Sequence, residues 1–259
     1  MASVDPARVT QIIREIAQQV ILPRFRALAS RDVREKNPGD LVTIADTEAE
    51  LHLGRRLSAL LPDSLLVGEE SVSEDVSLLR ALEGQAPVWV IDPIDGTGNF
   101  VRGDVHFAVV VALVVEKTTL QGWIHDPMRD RTFLAVRDQG AWCDGRRLRL
   151  EPRSGVAGNG MIGAAAWRDR PRLEQAGHRL RQMGSAAHEY LALLEGSLDF
   201  SCYHRLHPWD HAAGVLMHRE AGGVSGLVQG GDYVPLPQEG TLLMAPDSAR
   251  WQVLRGLFL

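Results

Sequence analysis

The segment Val88-Trp89-Val90-Ile91-Asp92-Pro93-Ile94-Asp95-Gly96-Thr97-Gly98-Asn99-Phe100 changes character at one residue. Val88 to Ile91 is a short apolar run with the look of a buried strand, and it ends abruptly in Asp92. Pro93 fixes the backbone beside that carboxylate, Asp95 lies three residues on, and Gly96 follows directly. Two carboxylates held at a strand end by a rigid turn repel, so one stays protonated unless a cation relieves them. Mg²⁺ suits such a pair, because it takes oxygen ligands and is commonly bound through carboxylates plus a substrate phosphate. The Gly96 and Thr97 amides stand at the start of a short helix, where backbone N–H groups receive anions. Asp-Pro and Asp-Gly alone also make ordinary turns; the string from Asp92 to Phe100 is far more specific than either.

Two further acidic clusters flank it. Gly68-Glu69-Glu70-Ser71 follows a strand-like run over 64–67, and alone it reads equally as a solvated loop. Pro208-Trp209-Asp210-His211-Ala212-Ala213-Gly214 opens a predicted helix over 208–221 that Gly222-Gly223 stops. Asp210 in its first turn is a helix-dipole partner, a carboxylate carried into a site, or both. Ala212, Ala213 and Gly214 let that helix pack close to a neighbour. Asp46 stands at capping-box spacing from Thr43, which makes it a cap as well as a candidate site residue.

Val9, Ile12, Ile13, Ile16, Val20 and Ile21 recur at helical spacing behind an Asp5 N-cap and Pro6. Further helices are predicted over about 45–61, 170–183, 185–194 and 247–257, and strands over 87–91, 106–115, 121–124 and 132–136. The elements mix without a strict βαβ rhythm, which points to layered α and β. The 259 residues fit one domain with two possible sub-domains, 1–150 carrying most acidic motifs and 151–259 carrying Asp210. The Gly-rich stretch from Gly155 to Gly163 is the candidate seam.

Composition bounds the partners. A net charge of −5 without a basic run gives no footing for nucleic acid. The most apolar run, Phe107 to Val115, falls short of the ~20 residues a membrane helix needs. Cys143 and Cys202 are far apart and form no CxxC, so they read as reduced core residues. The N-terminus has no basic-then-apolar leader, and a cytoplasmic location is expected.

Taken together, Asp40-Leu41-Val42-Thr43 with Asp46, Gly68 to Ser71, Asp92 to Phe100, Gly184-Ser185-Ala186-Ala187 and Trp209 to Gly214 resemble the inositol monophosphatase family over nearly the whole chain. The resemblance implies a layered αβαβα sandwich, usually homodimeric, that hydrolyses a phosphate monoester of a small metabolite. It implies two or three Mg²⁺ ions held by Glu69, Asp92, the Ile94 carbonyl, Asp95 and Asp210, with Glu69 also serving catalysis. It further implies that Asp46 and Thr97 activate the attacking water, and that Gly96, Thr97, Gly184, Ser185 and Ala186 contact phosphate or substrate. Relatives of this fold act on inositol phosphates, sugar phosphates, histidinol phosphate or adenosine bisphosphates, and a non-catalytic binding member is the alternative of another class. Fold alone does not choose among them.

The substrate side departs from the pattern. Tyr203 stands where inositol phosphatases carry a substrate-binding Glu, and a tyrosine supplies no carboxylate. Arg205 beside it is a candidate for a second anionic group of the substrate or an ordinary surface residue. Lys36 lies near the place of a family lysine that faces the site, and Glu70 is a further candidate. Gly98 replaces the usual Thr or Ser, while Thr97 itself is kept.

Overall fold

A computed structural model describes residues 4–151 and 160–259. The chain opens with helix α1 (Pro6–Ile16), capped by the Asp5 side chain, and continues through a π-helical turn (Ala17–Ile21) and a 3-10 turn (Leu22–Arg24). A hairpin of β1 (Val33–Asn37) and β2 (Asp40–Thr43) leads into α2 (Ile44–Leu60). Then come β3 (Leu65–Gly68), α3 (Glu69–Glu74), β4 (Val88–Asp95), α4 (Thr97–Arg102) and β5 (Ala108–Val115). An antiparallel meander follows through β6 (Thr118–Asp126), β7 (Arg131–Val136), β8 (Gly140–Cys143) and β9 (Arg146–Leu148). The second half holds β10 (Ile162–Ala165), α5 (Arg170–Gln175), β11 (Arg179–Leu180), α6 (Ala186–Leu194), β12 (Phe200–Tyr203), α7 (Pro208–Glu220), β13 (Val224–Leu227), β14 (Leu242–Ala245) and α8 (Ser248–Gly256).

Strands β3 to β9 form a seven-stranded sheet in sequence order, parallel only between β3 and β4. A second sheet runs β11-β10-β12-β14-β13. The period-two alternation of β4 assigns the layers. Trp89 and Ile91 pack with Ile13, Ala49 and Leu53 of α1 and α2. Val88 and Val90 pack the other way, with Tyr190 of α6 and Ala213 and Met217 of α7, and the same core reaches Leu242 and Met244 of the second sheet. The far side of that sheet, through Phe200 and Leu243, meets Leu173 of α5 and Trp251 and Leu254 of α8. The result is the expected order helix, sheet, helix, sheet, helix. Covered on both sides, β4 is buried at every position.

Three expectations are corrected. The helix predicted over 170–183 stops at Gln175, because Gly177 takes a left-handed φ of 84° and β11 follows. The first helix keeps its apolar stripe to Ile21 but widens to π geometry for its last turn. The strand over 87–91 does not end at Asp92 but runs through to Asp95. The Gly155–Gly163 seam falls mainly on 152–159, outside the described residues. Cys143 and Cys202 are both free and buried. Among the described residues no helix is long and apolar enough to cross a membrane.

Candidate active site

The extension of β4 is what gathers the acids. Residues three apart on a regular strand face opposite ways. Here Asp92 pairs with Val110 of β5 and Asp95 with Ala108, so three steps on β4 oppose two on its neighbour. The extra residue is a bulge. Pro93 occupies it, where its missing N–H costs the ladder nothing. Val110 and Ala108 share a face, and the bulge therefore turns Asp92 and Asp95 to the same side, toward α7. The Ile94 N–H donates to Asp92 Oδ1 at 3.0 Å and tightens the turn.

Asp210 arrives on that side in the first turn of α7. The approach depends on the small residues noted in the sequence. A Cβ on Gly122 of β6 would lie 2.8 Å from Ala213 Cα, and one on Gly214 would lie 2.4 Å from the Tyr190 ring. Asp92, Asp95 and Asp210 each bring a carboxylate oxygen within 4.8 Å of the others. Burial, then Glu69 and the neighbouring aspartates, holds Asp92 well above the usual carboxylate range. Burial, then Asp95 and Glu69, does the same to Asp210. Burial lifts Asp95 to about 6 although three donors favour its charge: the Ser185 hydroxyl, and the amides of Ala187 at 2.7 Å and Ala186 at 3.3 Å. Among the described residues no lysine, arginine or histidine pairs with any of the three aspartates. An all-oxygen set of repelling carboxylates, with the Ile94 carbonyl on the same turn, fits a hard divalent cation.

Thr97 and Asp46 stand next to this cluster. The Thr97 hydroxyl lies 3.1 Å from Asp46 Oδ1 and 3.0 Å from the Ile94 carbonyl, and its one proton serves one acceptor at a time. Asp46 Oδ2 is taken by the Thr43 amide at 2.8 Å and the Thr43 hydroxyl at 2.5 Å. The cap and the site role thus fall to different oxygens of one carboxylate. Burial raises Asp46 to about 6 against those hydrogen bonds. Gly96 precedes Thr97 at φ 92°, and a Cβ there would lie 2.8 Å from the His106 carbonyl.

Glu69 and Glu70 open α3 and meet Lys36 of β1, whose Nζ lies 2.8 Å from Glu69 and 3.0 Å from Glu70. Burial works against that ammonium, but the two glutamates outweigh it and raise its pKa. Burial and then Glu69 push Glu70 up to about 8. Glu69 is not within the 4.8 Å set of the three aspartates, yet its charge acts on all of them and on Asp46. Glu50 was not singled out by sequence. From α2 it accepts the Glu70 amide at 2.8 Å, the Ser71 amide at 2.9 Å and the Ser71 hydroxyl. Its carboxyl sits where a Cβ on Gly68 would be, 2.2 Å from Cδ, which explains the glycine before the glutamate pair. Charged and apolar residues alternate along α2, so its pattern does not mark Glu50.

Beyond the cluster an open cleft of about 740 Å³ extends between α6 and the end of β12, lined by Gly184, Ala186, Glu189, Tyr203, Arg205 and Asp210 among others. Gly184 and Ala186 face it, whereas the Ser185 hydroxyl turns to Asp95 and caps α6 through the His188 amide at 3.1 Å. Asn99 holds the Gly184 approach by donating to the carbonyls of His106 at 2.7 Å and Met183 at 2.8 Å. His211 accepts from the Tyr190 hydroxyl at 2.9 Å and donates to the Arg205 carbonyl at 2.7 Å, fixing the turn into α7. Arg205 is exposed and Tyr203 half-buried. Asn99, His211 and Glu189 are further residues that sequence reasoning passed over.

Comparison with known proteins follows the same lines. Residues 5–254 match the sequence model of the inositol monophosphatase family. The chain is 33% identical over 196 residues to a fructose-1,6-bisphosphatase/inositol-1-monophosphatase of Thermotoga maritima, covering 73% of each. It is 35% identical over 201 residues to the Nus factor SuhB of Pasteurella multocida, covering 73% of this chain and 72% of that one. A solved IMPase structure from Thermotoga maritima superposes with a TM-score of 0.80 at 25% identity, covering 97% of this chain and 96% of that one.

Proposed function

This chain belongs to the inositol monophosphatase family, and on that premise we propose that it hydrolyses the phosphate monoester of a small soluble metabolite by attack of an activated water. The observation that carries the reading is the meeting of Asp92, Asp95 and Asp210 beside the Thr97–Asp46 pair. The first three, with Glu69 and the Ile94 carbonyl, would hold two or three Mg²⁺ ions. Bound there, the cations would supply charge neutralisation of the ester, a lowered pKa for bound water and stabilisation of the leaving oxygen.

The protein's own groups do the rest. Directed to Asp46, the Thr97 proton leaves the hydroxyl oxygen free to accept from the attacking water, so the water's proton passes toward Asp46. Asp95 is held in place by Ser185 and the α6 amides, and no covalent nucleophile is needed, because positioning and electrostatics carry most phosphoryl transfer. The leaving alcohol lies in the cleft toward Tyr203 and Arg205, with an inositol or sugar phosphate as first candidate and histidinol phosphate or an adenosine bisphosphate as alternatives. A homodimer and a cytoplasmic location complete the reading, the latter supported by two buried free cysteines.

Phosphate release from these esters, with and without Mg²⁺, tests it. Turnover of at least one ester that EDTA abolishes is expected. No turnover of any ester at saturating Mg²⁺ would reject the reading in favour of a regulatory, non-catalytic role, which the relatives named Nus factor SuhB favour.

A further inference from the structure

We propose that Glu189 determines which leaving alcohol the cleft takes, by accepting a hydrogen bond from a hydroxyl or protonated amine on that alcohol. The inference rests on the phosphatase reading above.

Position comes first. Glu189 lies on α6 one helical turn, about 5.4 Å, beyond Ser185, whose hydroxyl holds Asp95. A group bound at the aspartate cluster therefore has Glu189 within reach of a substituent a few bonds from its phosphate. Among the described residues that line the cleft, the acids are Glu189 and Asp210. Asp210 belongs to the cluster, which leaves Glu189 as the carboxylate that faces the alcohol.

Its own partners are weak. The Met183 amide stands off at 3.5 Å, and no lysine, arginine or histidine pairs with Glu189 among the described residues. Beside it, the Tyr203 hydroxyl is buried without a well-formed hydrogen bond. Burial raises Glu189 to about 7, with the nearby Tyr203 hydroxyl favouring its charged form. Buried polar groups left short of partners are costly, and a site built this way discriminates strongly for a ligand that completes it. The arginines that line the cleft, Arg168 and Arg205, cannot accept a hydrogen bond from an alcohol substituent. Tyr203 fills the strand-end position without a carboxylate, and the acid is supplied from the neighbouring helix instead.

The test compares wild type, Glu189→Gln and Glu189→Ala on three esters. Inositol 1-phosphate carries hydroxyl donors, histidinol phosphate carries protonated nitrogen, and 4-nitrophenyl phosphate carries no donor. The readout is the ratio of kcat/KM for each donor ester to that for 4-nitrophenyl phosphate. Glu189→Ala is expected to lower at least one ratio by about ten- to a hundredfold, chiefly through KM. Glu189→Gln keeps the size and one acceptor. It separates the two sources: a collapse for histidinol phosphate alone identifies a cation, and retention for inositol 1-phosphate identifies a hydroxyl. Ratios within twofold of wild type in both variants overturn the proposal. Calorimetric binding of free myo-inositol and histidinol reads Glu189 apart from turnover. If no ester is hydrolysed, the phosphatase reading fails, and equal alcohol affinity in wild type and Glu189→Ala then overturns this inference separately.

Discussion

The Lys36 ammonium lies 2.8 Å from Glu69 and 3.0 Å from Glu70, so a strand of the small hairpin sets one cation between two acids at the start of α3. With only 10% of its side chain exposed, Lys36 is an internal counter-ion. Breaking a buried pair by removing one partner costs about 3–5 kcal/mol. Lys36→Met should cost less, about 2 kcal/mol, because Glu70 already titrates at about 8 and takes up a proton in its place. Added Mg²⁺ should recover part of the loss by giving Glu69 a new cation. Melting curves with and without MgCl₂ check this; a deficit indifferent to Mg²⁺ would put Glu69 outside the metal site.

The acidic cluster makes Mg²⁺ stabilisation pH-dependent. Asp46 and Asp95 hold their protons more tightly in the fold than unfolded, with pKa values raised to about 6. Their contribution to stability is complete below about 4 and is lost as pH rises through about 6. Protons and Mg²⁺ compete for these groups, so the rise in Tm on adding Mg²⁺ should be small at pH 5 and larger at pH 8. His125 and His218 are lowered by burial to about 4 and about 3, and they destabilise the fold as pH falls below 6.5. That effect is common to both conditions and cancels in the difference.

Asp210→Asn should separate stability from activity. It removes one of three mutually repelling carboxylates, so the Mg²⁺-free protein should melt higher above pH 7. Turnover should fall by about a hundredfold or more. A variant with near-wild-type kcat at saturating Mg²⁺ would exclude Asp210 as a ligand.

Asp46→Asn and Thr97→Val should each lower kcat by about 10²- to 10⁴-fold with little change in KM. The double variant should be no worse than the poorer single one, since the two act as a unit across one 3.1 Å contact. Additive losses would mean that they act in separate steps.

Gly68→Ala should destabilise by about 1–3 kcal/mol, because the new Cβ would meet the Glu50 carboxyl at 2.2 Å. If Glu50 yields instead, the amides of Glu70 and Ser71 lose their acceptor and α3 is no longer fixed. A Mg²⁺ titration by calorimetry distinguishes the routes, since only the second weakens Mg²⁺ binding.

Much of this was legible before any coordinates. Asp46, Asp92, Asp95 and Asp210 stood out because a carboxylate at a strand end or beside a helix start interrupts an apolar pattern, and local pattern is what a sequence displays. Glu50 and Glu189 were not legible, because each lies within a helix where a glutamate is unremarkable in composition. Only tertiary packing brings the first onto the α3 amides and the second into the cleft. The false extension of α5 had the opposite cause: a polar stretch rich in good helix formers concealed a single left-handed glycine, Gly177.

The bulge at Pro93 changes how kinship should be judged. A relative whose strand ran regularly through this stretch could retain both aspartates three residues apart and still aim them through opposite sides of the sheet, one at α7 and the other at α2. Counting ligands would score such a chain as competent, and so would counting the residues between them. Only the register against the neighbouring strand tells the two apart, with Asp92 opposite Val110 and Asp95 opposite Ala108.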